Sequence, residues 1–166
     1  MAITATDIHY RLSGGSSNSD PNASLGGVKS TTTDATTTIF DDVSGAESAA
    51  GDTEYRGVVI SNEHGSLTYQ SVKVWIDVDT PASDTDADVA LAAEAVNTTM
   101  ATIANENTAP SSVTFANTAV SFATGLSIGD IPNSQFKGIW LKRVITAGAA
   151  ASSDSFTVKC QGDTNP

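Results

Sequence analysis

The chain has 166 residues, 39% of them hydrophobic, and carries 8 Lys and Arg against 19 Asp and Glu, a formal charge of −11, with a single cysteine. That length accommodates one hydrophobic core, and one thiol excludes both an internal disulfide and a thiolate metal cage. The acidic balance argues against nucleic acid as a partner, which needs a basic footprint; the only basic cluster, Lys137, Lys142 and Arg143, lies in an apolar strand-like run.

Residues 1–50 contain 8 Ser, 8 Thr, 5 Gly, 5 Asp and 2 Asn, so 28 of the 50 are turn or loop types that bury little apolar surface. Short apolar anchors recur among them: Tyr10 and Leu12 flanking Arg11, then Leu25, then Ile39 and Phe40, separated by the pairs Gly14-Gly15 and Gly26-Gly27. A polar cord with apolar pegs does not stabilise itself. It gains order by lying on its own globular half or on a neighbouring molecule. Residues 1–50 are therefore expected to form an extended arm, with 51–166 as the folded domain. The N-terminus lacks a basic region followed by an apolar run, and no stretch has the length of a membrane span, so a chain made and kept in the cytosol, with no membrane partner, is expected.

Residues 41–54 are small, acidic and bracketed by Gly45 and Gly51, a connector in which 46–50 has the composition of one helical turn. Beyond it the hydrophobic period becomes two. Residues 55–61 predict a strand, 62–66 a turn, and 71–79 the clearest strand, with Val72, Val74, Ile76 and Val78 on one face and Lys73, Trp75, Asp77 and Asp79 on the other. After a break at 80–84, alternation resumes at 87–93. Residues 92–104 mix helix-favouring alanine with Thr and Asn that weaken it. Strand-sized runs return at 112–115 and 119–123, and 129–133 reads as a tight turn with Gly129 and Pro132. Residues 136–146 are apolar on both parities, as expected of a strand covered on both sides, and 154–162 closes the domain with Phe156, Val158 and Cys160 facing in. Six to eight short strands without a long amphipathic helix predict an all-β antiparallel sandwich, immunoglobulin-like in first preference and jelly roll in second.

The residues for chemistry are sparse. Only two histidines exist, His9 in the arm and His64 in a turn, and neither sits in a nucleophile, phosphate-binding or metalloprotease motif, so no catalytic residue and no cofactor is expected. Asp77, Asp79, Asp84, Asp86 and Asp88 are dense enough to raise calcium. Residues 84–88 match the first ligand positions of an EF-hand, yet Val89 stands where its glycine is required and Ala95 at the twelfth position, which excludes that loop; a looser site from converging carboxylates stays open. Trp140 is expected in the core, while Trp75, on the polar face of its strand, packs under the arm or against a partner.

Several segments resemble a family of tailed-bacteriophage virion structural proteins: Tyr10-Arg11-Leu12-Ser13-Gly14-Gly15, the run 20–27, the run 40–47, Gly51-Asp52-Thr53-Glu54-Tyr55-Arg56, Val72-Lys73-Val74-Trp75-Ile76, the run 126–132, and Asp154-Ser155-Phe156-Thr157-Val158. The resemblance implies a non-enzymatic particle component, assembled in the host cytoplasm and resident in the virion, whose partners are other virion proteins such as the major capsid protein or tail and neck proteins, and which is a homo-oligomer in the particle. A capsid decoration or cement protein is the first reading. A tail, neck or baseplate component is the second, and a calcium-dependent carbohydrate-binding module of a fibre the third. In the first, the arm bridges subunits through Tyr10, Arg11, Leu12, Leu25, Ile39 and Phe40, with Trp75 as a further partner contact.

Overall fold

A computed structural model of the chain describes residues 2–35, 38–117, 121–150 and 154–164. Period-two patterning becomes strands where it was clearest: β2 (Asp52–Asn62), β3 (Tyr69–Val78), β4 (Thr85–Leu91), β6 (Phe136–Ile145) and β7 (Thr157–Thr164). Two more strands join them, β1 (Ile8–Leu12) and β5 (Leu126–Ile131). The connector's alanines form α1 (Gly45–Ala50), started by a capping box in which the Ser44 hydroxyl accepts from the Glu47 amide and the Glu47 carboxylate accepts from the Ser44 amide.

The strands make two antiparallel sheets, ordered β1-β2-β6-β4 and β5-β3-β7. The four-plus-three division is that of an immunoglobulin constant domain, but there the fifth strand lies in the larger sheet and the sixth in the smaller; here β6 lies in the larger and β5 in the smaller. Between the sheets sits the main core, where Val58, Ile60, Val72, Val74, Ile76, Val89, Ile131, Ile139 and Leu141 are buried. A second core lies on the other face of the four-stranded sheet: Val59, Ala90 and Trp140 are covered by Ala92, Met100, Ile103, Val113 and Phe115. This explains why β6 is apolar on both parities. Its odd positions face the other sheet and its even positions face the irregular segment 92–116.

That segment holds no strand. Residues 112–115 are turn and coil, and only Ala116 meets β4, exchanging backbone bonds with Val89. Of the expected strand at 119–123, residues 119–120 lie outside the described residues and 121–123 are bend and turn. Local propensity lost here to packing: a chain crossing over a sheet buries its apolar side chains without pairing its backbone.

The arm requires a correction. Residues 1–50 are not an extension of a domain that starts at 51, because Ile8–Leu12 pairs with 58–62 of β2 over its whole length. β1 in turn is covered by the returning chain, with Ser30 N–H donating to Leu12 O at 2.8 Å, Leu12 N–H to Thr33 O at 3.1 Å and Ala35 N–H to Tyr10 O. The first half of β2 has no β1 partner; its amides are answered by the same strap and by the 92–116 cover, Gly57 N–H by Ser24 O and Tyr55 N–H by Glu106 O, both at 2.7 Å. Ser13 ties the layers together, its buried hydroxyl donating to Gly57 O and accepting from Gly26 N–H. The segment is too polar to bury itself, and backbone hydrogen bonds to its own sheet supply the order. Among the described residues no helix is long and apolar enough to cross a membrane.

Candidate functional site

Glu54 and Arg56 share the inward parity of β2 with Val58 and Ile60, and Arg143 shares that of β6 with Ile139 and Leu141, so the register places Glu54 beside Arg143 at one end of the inter-sheet space. Both Glu54 and Arg56 are almost wholly buried. Such charges persist inside only when paired, and the pairing is dense. Arg143 Nε donates to Glu54 Oε2 at 2.5 Å, and Arg56 Nη2 donates to Glu106 Oε2 at 2.5 Å, to Asn22 Oδ1 at 3.2 Å and to Asp41 Oδ1 at 3.4 Å. Arg143 also donates to the Asp41 carbonyl. The Phe40 ring closes this end: the Arg56 and Arg143 guanidinium carbons lie 5.4 and 4.9 Å from its centroid, and the ring packs at 6.1 Å on Phe156.

Carboxylate oxygens of Asp41, Glu54 and Glu106 lie within 4.8 Å of one another. Two guanidinium groups already answer these three carboxylates. Burial pushes the Glu54 carboxyl above its ordinary value, against the pull of Arg143. A cleft of about 280 Å³ opens beside this clasp, lined by Asn22, Leu25, Asp41, Ala104, Asn105 and Glu106. Its chemistry is that of a clasp with an acidic, amide-rich rim: it holds three distant chain segments together and offers acceptors to a hydrogen-bond donor.

A second ionic network fixes the other end of the strap. Arg11 is bidentate to Glu63, at 2.9 and 2.7 Å, with Asp34 at 3.1 Å from its Nη1, while Lys29 and His9 approach Glu63 at 3.7 and 3.8 Å. The Arg11 hydrogen bonds hold the Glu63 carboxyl below the ordinary carboxylate value and raise the Arg11 guanidinium.

The residues expected to bind a partner are mostly engaged within the chain. Leu12 is 1% exposed, Tyr10, Ile39 and Phe40 pack against the main core, and Arg11 is buried on Glu63. Burial also raises the Tyr10 phenol and the Cys160 thiol. Leu25 alone of the seven lines the cleft beside the Arg56 clasp. Trp75 is 2% exposed on the outer face of the three-stranded sheet; it lies neither under the arm nor open to a partner, being covered edge-on by Phe122 at 6.2 Å, with its indole N–H donating to Asp77 at 2.8 Å.

Four of the five aspartates that raised calcium are occupied by the chain itself, while Asp86 sits near Asp88 and Asp79, its carboxyl raised by burial and by those two neighbours. Asp77 accepts from Trp75, Asp79 from the amides of Thr80 and Ala87, and Asp84 from the amide of Ala150, while Asp88 is paired with Lys142. Among the described residues the three-carboxylate groupings fall elsewhere, at the Arg56 clasp and at Glu47, Asp52 and Glu54. His64 Nδ1 accepts from the amides of Ser66 and Leu67, a turn contact, and His9 belongs to the Glu63 network.

Patterning at 51–61 contained the signal for the clasp, since Glu54 and Arg56 fall on the apolar parity of their strand. Their partners Asp41 and Glu106 lie in irregular segments and carry no periodic signal. Compared with models of protein families, with curated proteins and with solved structures, the chain finds no match.

Proposed function

We propose that the chain is a non-enzymatic structural component of a tailed-phage virion, a capsid decoration or cement protein in first preference, that docks as a preformed block. The observation that carries this reading is where the family-like segments fall. The runs 10–15, 20–27, 40–47 and 51–56, scattered through the first third of the sequence, converge on β2: Ser13 and Ser24 on Gly57, and Asn22 and Asp41 on Arg56. Segments that resemble a family and also build one framework support a shared scaffold more than a shared catalytic site. The net charge of −11 favours the outside of a capsid over its DNA-facing lumen.

Bridging by loose pegs is replaced in this reading by docking of surfaces the folded chain leaves open. The strap then needs no neighbour for its order, and limited proteolysis should find residues 8–35 as resistant in the free chain as in the particle. Quantitative mass spectrometry of purified virions tests the placement: hundreds of copies are expected for decoration, and about 3 to 12 for a closed neck or baseplate ring. Absence of the chain from washed particles contradicts both.

A further inference from the structure

The four outer edges of the two sheets are treated differently. β1 is covered by residues 30–35, and β4 is capped by Ala116 through two backbone bonds with Val89. β5 has six residues, contains Gly129 at φ +83°, is followed by Pro132, and pairs irregularly with β3. These are the usual ways of blunting an edge. β7 is the least blunted: its register with β3 also shifts at two places, but it runs eight residues without proline or a positive-φ residue, and among the described residues its only backbone partner is β3.

An edge of this kind accepts another strand, and its side chains say which. Thr157, Lys159, Gln161 and Asp163 are exposed and form one face of β7. We propose that β7 pairs antiparallel with β7 of a second copy of this chain, about a two-fold axis at Gln161. In that register Lys159 stands opposite Asp163 of the second copy and Asp163 opposite its Lys159, giving two cross-strand ion pairs, while Cys160 meets Gly162. Shifting the axis to Cys160 or Gly162 pairs neither charge with its opposite. Matching odd positions with odd positions keeps both inter-sheet cores on the same side, so the two three-stranded sheets become one of six. Within one chain Lys159 lies over the Trp75 ring, 5.7 Å from its centroid, and makes an exposed contact with Asp77 at 3.9 Å, while Asp163 has no ion-pair partner among the described residues. A two-fold contact is self-complementary by necessity, and the spacing of one cation and one anion about a central glutamine meets that condition. This inference stands independently of the virion reading.

Sedimentation equilibrium of the full chain from micromolar to millimolar concentration tests it, with near-ultraviolet circular dichroism to confirm folding. Wild type should dimerise, Lys159→Glu and Asp163→Lys should each weaken the dimer at least about tenfold by setting like charges opposite one another, and the double reversal should restore it. Independently, Gln161→Cys in a Cys160→Ala background should form an intermolecular disulfide on mild oxidation, since the two 161 positions face each other within bridging distance. A wild-type chain that stays monomeric, a double reversal that fails to recover, or a β7 that binds only a strand from another polypeptide overturns the proposal.

Discussion

Two long irregular segments lie against the four-stranded sheet, and they are held by different forces. The cover at 92–116 is anchored by apolar side chains, Met100, Ile103, Val113 and Phe115 over Trp140 and Val59. The strap at 8–35 is anchored mainly by polar contacts: the β1 ladder, the Ser13 and Ser24 bonds to Gly57, and Arg11 on Glu63. Low hydrophobicity therefore does not mark a segment as detached. It marks one whose order depends on a prepared set of backbone partners, here the side of β2 turned away from β6.

Strap and cover meet at Gly26, and a substitution there should disturb both. A Cβ at Gly26 would stand 2.0 Å from Ala101 O, on a residue with φ +84°. Gly26→Ala is expected to cost about 3–5 kcal/mol, combining a strained backbone with a backbone clash, read as a lower urea midpoint. The two segments separate under Leu12→Ala and Met100→Ala, each of which empties a buried site at a cost of about 2–5 kcal/mol. Residue-level hydrogen exchange should then show faster opening in 8–35 for the first and in 92–116 for the second. If both variants loosen both segments alike, strap and cover are one unit.

Acid should act on the strap through Glu63. Its folded pKa lies below the unfolded value of 4.5, so its stabilisation is complete above about that pH and is lost as the pH falls through the depressed folded value. Glu54 runs the other way, its raised pKa making protonation favourable to the fold. Glu63→Gln should lower stability by about 1–2 kcal/mol at neutral pH and remove Glu63's share of the loss in acid, measured as urea midpoints from pH 7 to pH 3.

These contrasts also explain what the sequence made legible. β3, β4, β6 and β7 announced themselves because one or both faces are apolar at period two, and the second covered face of β6 was visible in Trp140. β1 was read as a peg because five residues, Ile8–Leu12, sit among serines, threonines and glycines, and its pairing with β2 lies some fifty residues away in sequence. The strand expected at 112–115 failed for the converse reason: Val113 and Phe115 are apolar to cover a sheet, not to join one. Of the Arg56 clasp, Glu54 and Arg56 were readable as charges on an apolar parity, while Asp41, Asn22 and Glu106 depend on how irregular chain wraps the sandwich.

Hydrogen exchange of the purified, isolated chain tests the central claim most directly. The amides of Leu12, Gly27 and Gly57 should be protected to a degree comparable with β3 and β6, because their acceptors, Thr33, Met100 and Ser24, all belong to the same chain. Exchange of residues 8–35 at random-coil rates beside protected β3 and β6 would contradict it, and would return the strap to the role of an arm that orders on other molecules.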